Sequence, residues 1–382
     1  MALRQLDHIR DLAPAHWDAL FDPSYPFTRH AFLAALEAHG CVGRRTGWEP
    51  CHLVLEDDGG RVIAAMPQYR KAHSYGEFVF DFGWANAAGE LGLRYYPKLL
   101  CSIPFTPVTG PRIGAVSAAA REELSRQALA QLEQPGVSSM HALFLEPDDA
   151  GALAGAGALE RNDIQFHWRN RGDPDFGAFV ARLTHDKRKK ILRERRRVAE
   201  AGLTFRFQPG DELSESEWAG VYELYRNTYE ERGQPPYLTL PFFLDYGRRP
   251  GTPLRLILAL EGERTVACAI CFVAGDVLYG RHWGAAERYH SLHFETCYYQ
   301  GIELCLREGL SRFDAGAQGE HKLARGFEPV ITRSVHRLAD RRLQSAVAAF
   351  LVRERAWVTR QRDLLAEHSP YREALEVSAP NG

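Results

Sequence analysis

The feature that most constrains this chain is a strand–turn–strand pattern that occurs twice, about 200 residues apart. Residues 52–70 have the pattern of a strand, an Asp-Asp-Gly-Gly turn and a second strand, and residues 254–273 have the same pattern around Glu-Gly-Glu. Each pattern is followed by an aromatic segment, read as a strand ending at Trp84 or Trp283, and then by a Tyr-Tyr pair. The same order of four features indicates a tandem duplication of one α/β unit.

The chain length and a polar stretch near the middle predict two domains. At 382 residues the chain exceeds what one hydrophobic core usually supports. Residues 171–174 are polar and contain Gly and Pro, so we expect domains at residues 1–173 and 174–382. A helix over residues 184–201, with eight lysines or arginines, links the halves. It is either a solvated helix face or a cradle for a phosphate-bearing substrate.

Composition narrows the class of protein. The apolar fraction is 45%, the charged fraction is 25% and the net charge is −2, so any attraction to nucleic acid or membrane must be local. No apolar run reaches the roughly 18 residues of a membrane span, and the N-terminal residues lack the apolar region of a signal peptide. Seven scattered cysteines are typical of reduced thiols in the cytoplasm. The sequence shows no zinc-ligand spacing, P-loop, dinucleotide fingerprint or nucleophile elbow.

The segment 279–327 combines the elements from which α/β enzymes build a site. We expect a strand over residues 277–283, a helix over residues 292–309 and a strand over residues 312–314. A polar loop flanked by glycines follows. Functional residues of α/β proteins collect where strands end, so this segment predicts the site.

Several segments resemble the FemABX-like branch of the GNAT acyltransferase superfamily, and more narrowly bacterial proteins related to peptidoglycan biosynthesis. The resemblance implies an α/β (α+β) fold of two tandem GNAT-like domains, each a mixed twisted sheet flanked by helices. It also implies an acyltransferase. The matching segments cover nearly the whole chain: residues 26–37, 73–87, 94–112, 187–202 and 279–327.

The resemblance leaves the acyl donor open between an acyl-CoA and an aminoacyl-tRNA. CoA-dependent GNAT enzymes hold the pyrophosphate on a Gly-rich turn at a helix N-terminus. The corresponding residues 285–292 contain no glycine, and residues 85–92 contain two glycines without a preceding Arg or Gln. The helical arm that some FemABX enzymes use near tRNA also has no evident counterpart.

The loop of residues 318–325 supplies the main catalytic candidates for amide formation. Glu320 or His321 would be the general base, while Lys322 and Arg325 would hold a phosphate or carboxylate. Gln318 would contribute to substrate binding. The alternative is a solvated turn, which explains the charges but not the glycine spacing with His and Gln.

The helix and strand before this loop add further candidates. Glu295 and Tyr298 are three residues apart and can share a helix face; alternatively the tyrosine packs under the sheet and the glutamate stabilises the helix dipole. The strand end carries the substrate-binding candidates Arg281, His282 and Trp283. In the first half, Asp81 and Trp84 are candidates for lining an acceptor groove, or Trp84 is a core residue.

Two functions are therefore expected. The first is an N-acyltransferase that passes an acyl or aminoacyl group to the amine of a small-molecule or cell-wall-precursor acceptor, with tRNA as a potential donor partner and no metal. The second is a non-catalytic binding module of the same fold that recognises a phosphorylated or RNA partner through the basic helix.

Overall fold

The computed structural model describes residues 1–287, 289–317 and 319–372. In chain order its strands are β1 Ala2–Leu6, β2 Trp48–Pro50, β3 His52–Glu56, β4 Val62–Met66, β5 Tyr69–Lys71, β6 Lys98–Cys101, β7 Gly114–Ala115, β8 Ser139–Leu143, β9 Leu159–Arg169, β10 Leu203–Pro209, β11 Leu254–Glu261, β12 Arg264–Ala274, β13 Val277–Ala285, β14 Arg312–Asp314 and β15 Glu328–Leu338.

The helices fall between these strands. They are α1 Pro14–Asp18, α2 His30–Ala38, α3 Phe82–Glu90, α4 Ala118–Ala130, α5 Pro147–Gly155, α6 Phe176–Ala181, α7 His185–Glu200, α8 Glu215–Glu230, α9 Leu240–Tyr246, α10 Leu292–Phe294, α11 Gln300–Glu308 and α12 Arg341–Glu367. Among the described residues, no helix has both the length and the apolar character to cross a bilayer.

The chain forms two compact units. Unit 1 comprises Met1–Asp163, Tyr237–Arg249 and Ile331–Thr359, and unit 2 comprises Ile164–Pro236, Pro250–Val330 and the chain from Arg360 onward. The predicted boundary between residues 173 and 174 stays a prediction.

Unit 1 contains antiparallel and mixed sheets. One sheet has the order β1-β3-β4-β7, with Leu53 opposite Met66 in the first predicted hairpin. In the other, β8 pairs with β15 in antiparallel and with β6 in parallel orientation, and β5 and β2 follow. Apolar residues of β3, α4 and α5, including Leu53, Leu124 and Leu153, form a common buried cluster, because alternation gives each strand an apolar face for the helices to cover.

Unit 2 has the strand order β10-β11-β12-β13-β14-β9. Its first four strands are antiparallel, whereas β13 and β14 are parallel and are joined by the helical residues 292–308. A parallel pair needs such a crossover connection. Gly284 allows α8 to lie directly on β13, since a Cβ there would come within 2.4 Å of the Leu224–Tyr225 backbone. The crossover brings the end of β13, the start of the helix and the loop after β14 to one region of unit 2.

Most locally patterned elements are confirmed, and one is wrong. Both hairpins, the basic helix and the strands β13 and β14 form where the sequence predicts them. The predicted aromatic strand ending at Trp84 is instead a loop followed by α3. Residues 80–92 contain three alanines and no β-branched residue, a composition that favours helix over strand.

Candidate active site

The helix after β13 contains a π-helical turn. It begins as α10, widens over Glu295–Tyr299 and continues as α11. A π turn brings residues five apart onto one face and is frequent at functional sites. Accordingly the rings of His293 and Tyr298 lie 5.5 Å apart, and Gln300 Nε2 donates to Glu295 Oε1 at 2.7 Å. Glu295 and Tyr298, which the sequence places on one helix face, therefore contact different residues: Glu295 contacts Gln300, and Tyr298 contacts His321.

Tyr298 and His321 form a hydrogen-bonded pair. The Tyr298 hydroxyl lies 2.9 Å from His321 Nε2, and the ring of Phe294 flanks the imidazole at 5.6 Å. Burial, together with Arg325, Lys322 and Lys190, lowers the pKa of His321 below its usual value. Burial raises the pKa of the Tyr298 phenol. At neutral pH the pair is a neutral imidazole and a protonated phenol, a combination suited to moving a proton.

A second imidazole completes an aromatic cluster around Tyr298. His293 meets the ring of Trp283 edge-on at 5.2 Å and that of Tyr298 at 5.5 Å. Burial and the neighbouring cations lower the pKa of His293 to about 4, so this ring is neutral. The predicted strand-end residue Trp283 therefore lies in the same cluster as Tyr298.

Lys322 is a buried cation beside this cluster. Its ammonium donates to the carbonyl oxygens of Ala315 and Gly316 at 2.8 and 2.7 Å and lies 6.0 Å from the centre of the Tyr298 ring. Burial lowers the pKa of Lys322 to about 8, and the positive charge of Arg281 acts in the same direction. Lys322 thus fixes the turn after β14 and contributes positive potential.

Arg325 is held by protein groups. Its guanidinium donates to both carboxylate oxygens of Glu194 at 2.9 and 3.0 Å, to the Tyr299 hydroxyl at 3.0 Å and to the His321 carbonyl at 2.8 Å. The Tyr299 hydroxyl also donates to Glu194. Arg325 therefore ties the short 3-10 helix Glu320–Arg325, which replaces the predicted loop, to α7.

Glu295 lies in a separate ionic group. Arg195 of α7 donates to Glu295 at 3.1 Å and to Glu303 at 2.7 Å. Glu295 is buried, and its second oxygen has no hydrogen-bond partner among the described residues. Burial raises the pKa of Glu295.

The remaining candidates of this half lie in different surroundings. Glu320 is exposed at the start of the 3-10 helix. Arg281 lies at a β-bulge, between His282, which pairs with Ile270, and Gly280, which pairs with Cys271. The His282 ring packs against Tyr225 of α8 at 5.1 Å, and burial lowers its pKa. Gln318 lies outside the described residues.

Helix α7 carries six cations that form no ion pair within the described part of the chain: Lys187, Arg188, Lys189, Lys190, Arg193 and Arg196. At about 100° per residue they spread around most of the helix circumference, and we call them the cationic residues of α7. The other two cations of the helix, Arg195 and Arg197, contact Glu295 and His290. Lys190 is close enough to lower the pKa of His321, so this cationic residue lies near the Tyr298–His321 pair.

One protein family accounts for nearly the whole chain. The family model FemAB-like, described as peptidoglycan biosynthesis/recognition, matches residues 8–373. The chain belongs to the FemAB-like family. The resemblance read from the sequence is thereby confirmed. Comparison with curated protein sequences gives no match.

Solved structures share the fold of this FemAB-like protein. FemX is 10% identical, with a TM-score of 0.50 over 91% of this chain and 100% of FemX. L-PGS from Bacillus licheniformis is 11% identical, with a TM-score of 0.50 over 84% of this chain and 95% of L-PGS. Likeness at these identities concerns the fold, and it confirms the predicted mixed α/β class.

The first-half candidates of the FemAB-like chain lie in unit 1. Asp81 is buried and accepts hydrogen bonds from Lys98 Nζ at 2.5 Å and the Tyr95 hydroxyl at 2.7 Å. Trp84, on α3, packs edge-on against His336, with the ring centres 4.8 Å apart. The guanidinium of Arg161 lies 5.0 Å from the centre of the Trp84 ring, in a cation–π contact. Trp84 lines a groove of about 410 Å³, whereas Asp81 belongs to a buried charge network.

Sequence reasoning missed Glu194 and Tyr299, which lie in this candidate site. A usable signal existed for Glu194: with Ile191 and Val198 it occupies helix positions i, i+3 and i+7, and all three are buried. An acid on the apolar stripe of a basic helix predicts a buried ion pair. Tyr299 gave no such signal, because its contact depends on the π turn.

Proposed function

We propose that this FemAB-like protein is an acyltransferase that passes an acyl or aminoacyl group to an amine of a small-molecule or peptidoglycan-precursor acceptor. The observation that carries the proposal is the 2.9 Å hydrogen bond between the Tyr298 hydroxyl and His321 Nε2. Amide formation needs a group that takes a proton from the attacking amine and a group that gives one to the leaving oxygen or sulfur. One phenol–imidazole pair can do both in sequence.

In the proposed reaction the pair acts as a proton shuttle. The amine attacks the donor carbonyl carbon, its surplus proton passes to Tyr298 Oη, and the phenolic proton moves to His321 Nε2. The tetrahedral intermediate then collapses, and the bond from the carbonyl carbon to the donor oxygen or sulfur breaks. The leaving atom takes its proton from Tyr298, which regains one from His321. An amide bond has formed and the pair has returned to its starting state.

Neighbouring residues have supporting roles in this proposal. Exposed Glu320 would accept the first proton of the incoming ammonium, next to His321. The Lys322 ammonium adds positive potential as negative charge develops on the carbonyl oxygen. Because its guanidinium is engaged by Glu194 and Tyr299, Arg325 is a positioning residue for His321.

A phosphate-rich donor fits the cationic residues of α7. Among the described residues, no carboxylate pairs with the six cations from Lys187 to Arg196, which span about 14 Å at the rise of an α-helix. Such a density of positive charge suits a polynucleotide backbone. Residues 285–292 offer no Gly-rich turn for a CoA pyrophosphate. We therefore propose an aminoacyl-tRNA as the donor in preference to an acyl-CoA.

A thermal-shift titration followed by a transfer assay tests this proposal. Charged tRNA, acetyl-CoA and longer acyl-CoAs are added separately; a ligand at 100 times its Kd stabilises by about 2.7 kcal/mol. We expect a shift with charged tRNA and transfer of the labelled aminoacyl group to an amine-bearing peptidoglycan precursor. A shift with acyl-CoA alone would overturn the donor assignment. No transfer from any of these donors would overturn the enzyme assignment.

The cationic residues of α7 also favour a second function, a non-catalytic module that binds a phosphorylated or RNA partner. That function predicts steeply salt-dependent RNA binding without aminoacyl transfer, and with no effect of substitutions at Glu320 or His321. All seven cysteines are free thiols. Either function would suit a protein of the reducing cytoplasm.

A further inference from the structure

Unit 1 displays a continuous set of exposed aromatic rings. Phe80 and Phe82 stack at 6.1 Å, and Tyr75 lies 6.1 Å from Phe82. Phe80 also lines the groove of about 410 Å³, together with Trp84 and three residues of α12: Leu343, Val347 and Phe350. Tyr75, Phe80, Phe82 and Phe350 are 41–58% exposed. Neighbouring large apolar side chains that are exposed together mark interaction sites.

Buried ions hold the loop that carries these rings. Lys98 Nζ donates to Glu77 at 2.8 Å and to Asp81 at 2.5 Å, inside unit 1. All three side chains are almost completely buried. Within this loop, Phe78 adopts a positive φ of 61°, a conformation that costs energy for a bulky residue. Burying ions and keeping such a backbone angle both cost free energy, so the surrounding structure must hold the loop in this conformation. The outward orientation of the rings is therefore fixed by the fold of unit 1.

The same arrangement removes negative charge from the surface. Glu77 and Asp81 are the acids between residues 73 and 82, and both point inward to Lys98. Between residues 341 and 359, α12 carries four arginines and a single acid, Glu354. That acid accepts from Arg161 at 2.8 and 2.9 Å. Arg342 pairs with Asp340 just before the helix, so Arg341, Arg353 and Arg355 supply the positive charge of α12 beside the apolar rings.

The exposed side of α12 repeats this combination. Phe350, Arg353 and Trp357 are exposed at positions i, i+3 and i+7, on one helix face. Arg161 donates to the Phe80 carbonyl at 2.8 Å as well as to Glu354, so one guanidinium joins the loop to this helix. We call the exposed rings Tyr75, Phe80, Phe82, Phe350 and Trp357 the aromatic face.

We propose that the aromatic face is a docking surface for a bilayer that contains anionic phospholipid. Amphipathic aromatic rings favour the headgroup region of a bilayer, and arginines beside them interact with anionic headgroups. The groove between Phe80 and Phe350 would admit part of an acyl chain. Docking of this kind would place the protein at a membrane surface, whether or not the protein has transferase activity.

Co-sedimentation with vesicles tests the proposal, using the full chain without donor or acceptor. We expect binding to phosphatidylcholine vesicles that contain phosphatidylglycerol and weaker binding to pure phosphatidylcholine. The double substitution Phe80→Ser with Phe350→Ser should lower the partition coefficient by about tenfold or more, because two inserting rings are removed. Arg353→Glu should weaken binding to the anionic vesicles only.

The control substitution is Val116→Ser, which changes an exposed apolar residue of unit 1 outside the aromatic face and should leave binding unchanged. An unchanged Tm verifies that each variant is folded. Equal sedimentation of wild type and the double variant, or no sedimentation with any vesicle, would overturn the proposal. The proposal would also be overturned if the wild-type protein formed a homodimer and bound no vesicles, while the double variant was a monomer. The aromatic face would then bind a second copy of the chain.

Discussion

The hydroxyl of Tyr298 and Nε2 of His321 lie 2.9 Å apart, although the two residues belong to different elements. Tyr298 is presented by the π turn before α11, and His321 by the 3-10 helix after β14. Neighbouring side chains hold both: Tyr298 packs on His293, and Arg325 donates to the His321 carbonyl. The proposed chemistry depends on this pairing.

Tyr298→Phe removes the hydroxyl and keeps the ring. We expect the rate of aminoacyl transfer to fall about 100-fold, because the proton shuttle is interrupted. The free energy of unfolding should fall by only about 0.5–1.5 kcal/mol, the contribution of one hydrogen bond. The matched control is Tyr289→Phe, which removes the hydroxyl that donates to exposed Glu261. Equal rates in the two variants would remove Tyr298 from the mechanism.

The pH profile of kcat/KM should reflect the protonation states of His321 and Lys322. Protonated His321 cannot accept the phenolic proton, so the rate should fall at acid pH. Since burial and three cations lower the pKa of His321, the midpoint of this limb should lie below the ordinary histidine value of about 6.5. Lys322, whose pKa is lowered to about 8, loses its charge above that pH, which adds an alkaline limb. Rates are normalised to the concentration of free amine; a midpoint above the ordinary value would contradict the assignment.

The substitution Arg325→Met tests whether Arg325 positions His321 or binds a substrate phosphate directly. The substitution leaves the buried Glu194 carboxylate without its cation, so the free energy of unfolding should fall by about 3–5 kcal/mol. Arg196→Met changes an exposed residue and should stay within about 0.5 kcal/mol of wild type. Denaturant unfolding measures both. A stable Arg325→Met protein that no longer binds the donor would instead make Arg325 a substrate ligand.

The cationic residues of α7 should determine the salt dependence of donor binding. Replacing Arg193 and Arg196 by Ala should reduce the slope of log affinity against log salt by about 0.7–0.9 for each donor phosphate that an arginine no longer neutralises. Arg126→Ala, which removes an exposed arginine of unit 1 paired with Glu123, is the control. Filter binding with charged tRNA measures the slopes. Identical slopes for all proteins would exclude α7 from donor binding.

The sequence predicts the elements whose pattern is local. Both hairpins follow from short apolar runs on either side of turn residues, and the basic helix follows from a charged segment with one apolar stripe. The helix α3 was wrongly predicted as a strand because the segment is rich in aromatic residues. Its three alanines, which favour a helix, decide the structure. The family resemblance supplied the fold class.

The candidate site is less accessible to such reasoning. The spacing of three between Glu295 and Tyr298 predicts a shared face only for a regular α-helix, and the π turn replaces it with pairs five apart. The sequence predicts that Lys322 and Arg325 hold a phosphate or carboxylate of the substrate, whereas in the structure both side chains are buried and are engaged by backbone carbonyls and Glu194. Such burial depends on partners distant in sequence, which no local pattern contains.

The most direct measurement is the single-turnover rate of aminoacyl transfer by His321→Ala, with and without added imidazole. We expect a loss of about 100- to 10,000-fold with unchanged donor affinity and a retained fold, and partial recovery with imidazole. An unchanged rate in a folded His321→Ala protein would contradict the role of His321 in the proton shuttle.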